Sequence, residues 1–227
     1  MVVAGKCVRV NGGDSGSTEL VSWGMTRAMS KLLIALIAIV GLIVAVALGA
    51  IGTYNGLVGK QQGVDAAWAQ VLNQYQRRSD LVPNLVKTVQ GSANFEQSTL
   101  KQVVEARASV GRITIDANKA PADMATMQKF QDAQGQFGGA LQRLLVVSEK
   151  YPDLKASEGF RDLQTQLEGT ENRIAVERMR YNDAAKEFNT KRRMFPASII
   201  ANSSGFQEKA YFEADEGAEK APKVKFN

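Results

Sequence analysis

The sequence predicts an all-α fold, an N-terminal transmembrane helix followed by a long antiparallel four-helix bundle. Three observations carry this expectation. Residues 32–51, LLIALIAIVGLIVAVALGAI, hold no charge and no strongly polar side chain; at ~1.5 Å per residue they reach ~30 Å, the thickness of a hydrocarbon core. Farther on, Phe160, Leu167, Ile174, Tyr181, Phe188 and Phe195 recur every seven residues, the period of one seam on a long helix. Glycines and prolines punctuate the periodic stretches, and no segment alternates as a strand would.

Residues 1–24 show no helical or strand period, and residues 1–28 read as a flexible extension. Met25 and Met29 stand just before the apolar run, so Met25 is the expected natural start, which leaves Cys7 without a role. Residues 29–53 form the anchor. A soluble core helix would need a polar face, which this run lacks. Its main competitor is a cleaved signal peptide, with Arg27 and Lys31 as the basic region and Ala45-Val46-Ala47 as the small-x-small site. The apolar run continues past Ala47 to Ile51, which favours an uncleaved anchor. The same two basic residues, against only Lys60 before Arg77 on the other side, predict a cytoplasmic N-terminus and an exported bundle. Gly49, Gly52 and Gly56 weaken helix without forbidding it, so a helix continuous from the bilayer into the bundle is expected.

Residues 54–195 supply the four bundle helices. Val64, Trp68, Val71 and Tyr75 turn one face of residues 55–78 inward. In residues 81–110 the inward set is Leu85, Val89, Leu100, Val103 and Val104, and in residues 122–149 it is Met127, Phe130, Phe137, Leu141, Leu144 and Leu145. The fourth helix, residues 156–194, carries the seven-residue seam; Leu163 and Ala184 fit its intermediate positions, whereas Thr170 and Glu177 do not. Between the first two helices lies RRSDLVPNLV (77–86). Arg78 is expected to end one helix and Asp80 to cap the next through the N–H of Val82, with Pro83 in the first turn, where a missing N–H is harmless, and with Leu81, Leu85 and Val86 turning into the core. Gly111 to Pro121 reads as a loop, and Tyr151, Pro152 and Asp153 open a turn, YPDLK. Asn55, Asn84, Asn182 and Asn189 are poor helix formers in helical surroundings, suited to capping or bridging. Residues 196–227 begin at Pro196 and read as an irregular tail, docked in part through Phe206, Tyr211 and Phe212 and ending in an acidic patch.

Composition narrows the function. The chain has no histidine and one cysteine, which removes the commonest general base, zinc ligand and nucleophile partner. The net charge of +5 is spread too evenly for a nucleic-acid surface. An enzyme would have to work with carboxylates alone, yet Glu171 and Glu177 are six apart and leave one another's helical face. No catalytic, cofactor or metal residues are expected. The remaining candidates are partner surfaces: Arg77 and Arg78, which a tight turn does not require, and the band Glu171, Arg173, Glu177 and Arg180. A solvated charged face is the plainer account of that band, since such helix pairs are worth only a few tenths of a kcal/mol.

Several segments carry more identity than a generic bundle needs: YNGLV (54–58), QRRSDLVPNLVKTV (76–89), EARA (105–108), LLVVSEKYPDLKASEGF (144–160), LEGTENRIAVERMRYNDAAKEFNT (167–190) and FPASIIA (195–201). In this order they closely resemble the LemA family of bacterial membrane-anchored proteins, from residue 54 to about 213 together with the preceding anchor. The resemblance implies an N-terminal transmembrane helix and a long antiparallel helical bundle in the cell envelope, with no established biochemical activity. It also implies a short N-terminus outside the cell, opposite to the charge count, and offers a membrane protease as one candidate partner. A non-catalytic interaction or scaffold role is the expectation; the alternatives are a carboxylate-only enzyme and a peripheral membrane-binding or remodelling bundle.

Overall fold

The computed structural model describes residues 16–91 and 95–213, with side chains from Lys31 onward. The expected acidic patch at the C-terminus and the first fifteen residues lie outside this range. The fold is all-α, with no strand among the described residues. Its helices are α1 (Gly16–Gln90), α2 (Gln97–Gly111), α3 (Met124–Ser148), α4 (Pro152–Ala156), α5 (Glu158–Arg193) and α6 (Ala197–Ser203). The chain divides into two compact units, Met1–Ile51 and Gly52–Asn227.

In the first unit, α1 begins at Gly16, ahead of the anchor boundary expected at residue 29. Its apolar side chains have no protein cover: Leu32, Ile34, Leu42 and Val46 are each about two-thirds exposed. Among the described residues this is one helix long and apolar enough to cross a membrane.

The second unit has two cores. One gathers Leu57, Val64, Trp68, Val71 and Tyr75 of α1 with Met127 and Phe130 of α3 and Ile174, Tyr181 and Phe188 of α5. The other gathers Val82, Leu85 and Val89 of α1, Leu100 and Val103 of α2, Phe137, Leu141 and Leu144 of α3, and Phe160, Leu163 and Leu167 of α5. The seven-residue seam is therefore internal from Phe160 to Phe188. Thr170 is buried too, its hydroxyl donating to the Gln166 carbonyl at 2.7 Å, so a residue that breaks the apolar pattern still fits the core. Two expected core residues are exposed: Val104, on the outer face of α2, and Phe195, which follows the end of α5 at Arg193 and so leaves the seam.

The expected helix break at Arg78–Asp80 is absent. α1 continues to Gln90, and the chain turns instead after Gly91. Leu85 and Val89, assigned to the second helix, belong to the first. Asp80 is no N-cap; its carboxylate accepts from Gln76 Nε2 one turn earlier, at 2.7 Å. Pro83 stands inside the helix, where its missing N–H orphans the carbonyl of Ser79. Arg107 of α2 repairs this: its Nε–H reaches the Ser79 carbonyl at 3.1 Å and the Ser79 hydroxyl at 3.0 Å. Asn84 is exposed on the outer face. Arg107→Ala is expected to cost about 1–2 kcal/mol, and less in a Pro83→Ala background, where an alanine N–H can serve Ser79; a double-mutant cycle in urea measures the difference.

The connections are better ordered than expected. The loop after α2 docks on α1, with Trp68 Nε1 donating to the Asp116 carbonyl at 3.2 Å and the Ala120 N–H donating to Asp65 at 2.9 Å. Asp123 caps α3 by accepting from the N–H groups of Ala125 and Thr126 and from the Thr126 hydroxyl. These donors, the Thr126 hydroxyl foremost, hold its carboxyl below the usual carboxylate range. A carboxylate whose pKa is lower folded than unfolded stabilises the fold above about pH 4 and loses that contribution as the pH falls through the folded value. Asp123→Asn is expected to flatten this part of the acid limb, read as Tm against pH. The expected YPDLK turn is a single helical turn, α4, with Pro152 at its first position, Asp153 beside it, and the Tyr151 ring 4.9 Å from that of Phe95. The expected irregular tail opens with α6, which follows Pro196 and buries Ala197 and Ala201.

Candidate interaction surface

The sequence offered Arg77 and Arg78 as one exposed patch, and the fold separates them. Arg77 is exposed, whereas Arg78 is only 3% exposed. Its Nη1 reaches Glu171 of α5 at 2.5 Å, and its Nη2 reaches the Gln134 side-chain oxygen of α3 at 2.5 Å and the Gln134 carbonyl at 3.2 Å. The guanidinium lies about 5 Å from the ring centroids of both Tyr75 and Phe137. The guanidinium also lies close over Gly138, where a Cβ would stand in ordinary contact, 3.6 Å from Nη1. Arg78 thus joins α1, α3 and α5 from inside and is not available to a partner. The second arginine, without purpose in a turn, has a purpose in a packed helix.

Glu171 is half-exposed and committed to Arg78, while Arg173 is exposed. Glu177 is largely covered and pairs with exposed Arg180 at 2.7 Å, three residues on. The band is therefore part internal network and part solvated helix face. Alongside it runs a polar groove of about 290 Å³, bordered by Gln131, Gly135, Gly139, Gln142 and Arg178. Among the described residues no group of three or more His, Cys, Asp or Glu side chains is placed to hold a metal.

The most elaborate polar construction was legible only as scattered asparagines. Residues 209–213 run extended along α5, held chiefly by side chains. Asn189 donates to the Lys209 carbonyl and accepts its N–H, both at 2.9 Å. Asn182 does the same for Phe212, again at 2.9 Å. The spacing explains the pairing: seven helical residues rise ~10 Å, the length of three extended residues. Between the two clamps, the Tyr181 hydroxyl donates to the Ala210 carbonyl at 2.8 Å, and the Ala210 N–H reaches the Pro121 carbonyl at 3.1 Å. Burial pushes the Tyr181 phenol well above its usual range, with the Asp65 carboxylate adding to the effect, so it stays a donor. Beyond Phe212, Gln131 accepts the Glu213 N–H and Arg178 donates to the Glu213 carbonyl.

Side chains of the clamped segment complete the first core. The Phe212 ring packs against Trp68 and Tyr181, and the Arg178 guanidinium lies 4.9 Å from its centroid. Lys209, 3% exposed, bonds Asp65 of α1 at 3.2 Å and the Ala120 carbonyl at 3.1 Å. The expected docking of Phe206, Tyr211 and Phe212 is thus present, with the polar frame of Asp65, Gln131, Asn189 and Lys209 added to it.

The LemA family pattern matches residues 67–226. Magnetosome protein MamQ 2 of Paramagnetospirillum magneticum is 27% identical over 179 residues, covering 70% of this chain and 64% of that protein. Magnetosome protein MamQ of Magnetospirillum gryphiswaldense is 26% identical over 178 residues, with the same coverage. Protein LemA of Metamycoplasma hominis is 25% identical over 166 residues, covering 73% of this chain and 71% of that protein. The chain therefore spans just under two-thirds of the length of the magnetosome relatives it matches. With more than half of its residues under one family pattern, the chain belongs to the LemA family.

Proposed function

We propose that this chain is a single-pass membrane protein whose extramembrane part, an antiparallel four-helix bundle, is a non-catalytic interaction or scaffold module of the bacterial envelope. The observation that carries the reading is a contrast within one chain. Leu32 to Ile51 present a bare apolar surface, whereas the residues after Gly52 bury theirs in two dense cores. A bare apolar helix of that length is stable in lipid. The antiparallel reading is supported by which residues share a core: α1 and α3 pass from the first core to the second as numbering rises, and α5 passes back. The Lys60–Glu187 and Arg78–Glu171 contacts fall in the same reversed order.

The non-catalytic reading rests on chemistry. The buried ionic groups, Arg78 and the Asp65–Lys209 pair, are engaged in holding elements together; Arg78 and Glu171 border the polar groove but are spent on one another there. The exposed charges that remain, Arg77, Arg173 and Arg180 among them, suit a partner of the same membrane; a membrane protease is one candidate. Arg27 and Lys31 support an exported bundle. Crosslinking in intact cells followed by mass spectrometry is expected to recover one reproducible membrane-protein partner. Random neighbours alone would contradict the reading.

A further inference from the structure

The geometry points to a second membrane contact: the corner between α5 and α6 dips into the lipid interface. This rests on the membrane-anchored reading above. The corner presents Met194, Phe195 and Ile199, which are 54%, 82% and 63% exposed. They are neighbours in an ordered turn, where a nearly bare phenylalanine ring has no aqueous reason to stand.

Register within the second unit places this corner at the end where that unit begins, at Gly52. Lys60 of α1 bonds Glu187 of α5 at 2.5 Å. Phe195 lies eight residues beyond Glu187, and Gly52 lies eight before Lys60, on helices that run in opposite senses. The α1 interval rises ~12 Å, and the six helical residues from Glu187 to Arg193 rise ~9 Å before α5 ends, so the corner that follows lies near the level of Gly52. The apolar run ends one residue earlier, at Ile51. Tyr54, 44% exposed, stacks edge-on against Phe206 with ring centroids 5.6 Å apart, an amphipathic ring of the kind that collects at membrane surfaces.

Charge agrees with this placement. Lys191, Arg192 and Arg193 close α5 next to the apolar tip. Glu208 is paired with Arg192 and Arg193, so the corner keeps a net positive charge. Cations beside an inserted aromatic tip match anionic lipid headgroups. The occupant of this surface is therefore the bilayer that holds the chain's own anchor.

The test places one nitroxide label at a time on the full-length chain in vesicles of phosphatidylcholine and phosphatidylglycerol, with Cys7→Ser removing the native thiol. Phe195→Cys and Ile199→Cys report the corner. Val146→Cys is the control, an apolar residue 69% exposed near the C-terminal end of α3, the end whose Leu144 belongs to the second core. Flotation with the vesicles is checked first. At 195 and 199 the label should collide preferentially with oxygen and be at least fivefold less accessible to a nickel chelate than at 146. A chain that fails to float would overturn the anchor and this contact together. A chain that floats with equal chelate access at 195, 199 and 146 would overturn the contact alone and leave the anchor standing.

Discussion

Arg78→Ala is expected to destabilise the protein by about 3 kcal/mol, while Arg77→Ala, one residue away, stays within about 0.5 kcal/mol. The difference follows from burial. Removing Arg78 strips a partner from the buried oxygen of Gln134, opens a void between Tyr75 and Phe137, and breaks the link to Glu171. Glu171 is half-exposed and can rehydrate, which keeps the loss below that of a fully buried pair. Urea melts of the two single variants in a membrane mimetic make the comparison. Equal, small effects would return Arg78 to the surface and reopen it as a partner contact.

The second large effect is expected at the asparagine clamps. Asn189→Ala leaves both main-chain polar groups of Lys209 unpaired in a buried setting, and Asn182→Ala does the same in a partly buried one at Phe212. At about 1 kcal/mol for each lost bond, and more where a buried group is stranded, the double variant should lose about 4–6 kcal/mol. The loss is local in origin. Once released, residues 209–213 uncover Trp68, whose ring is covered by Phe212. Amide hydrogen exchange should therefore rise first at residues 209–213 and in the Asp116–Ala120 loop, which Lys209 and Asp65 tie to the same spot. Uniform acceleration across α1, α3 and α5 would mean that the clamps serve the whole fold and not this segment.

These two sites show where sequence reading succeeds and where it stops. Periodicity is a local signal, and the elements it governs were legible: the apolar run at 32–51, the seam from Phe160 to Phe188, and the inward faces around Trp68 and Phe137. Pro83 misled because its cost is met from 24 residues farther along the chain. Asp80 and Pro83 look like a helix start by local rules, and only Arg107 on α2, reaching Ser79, allows α1 to continue. Phe195 fits the seam by count but falls beyond the last helical residue, so its side chain leaves the core. Polar partners are least legible of all. Asp65 and Lys209 are 144 positions apart, and Arg78 and Glu171 are 93 apart, with no motif to announce either pair. The asparagines did stand out as poor helix formers. That signal allowed caps or bridges between neighbours; Asn182 and Asn189 instead hold an extended segment and not a neighbouring helix.

The central claim is that residues 32–51 remain in the chain and reside in lipid. Alkaline carbonate extraction of membranes from cells expressing the full-length protein, tagged at the C-terminus, tests it most directly. The account predicts a full-length product that stays with the pelleted membranes and is released only by detergent. A shortened product, or one released into the carbonate supernatant, would contradict it.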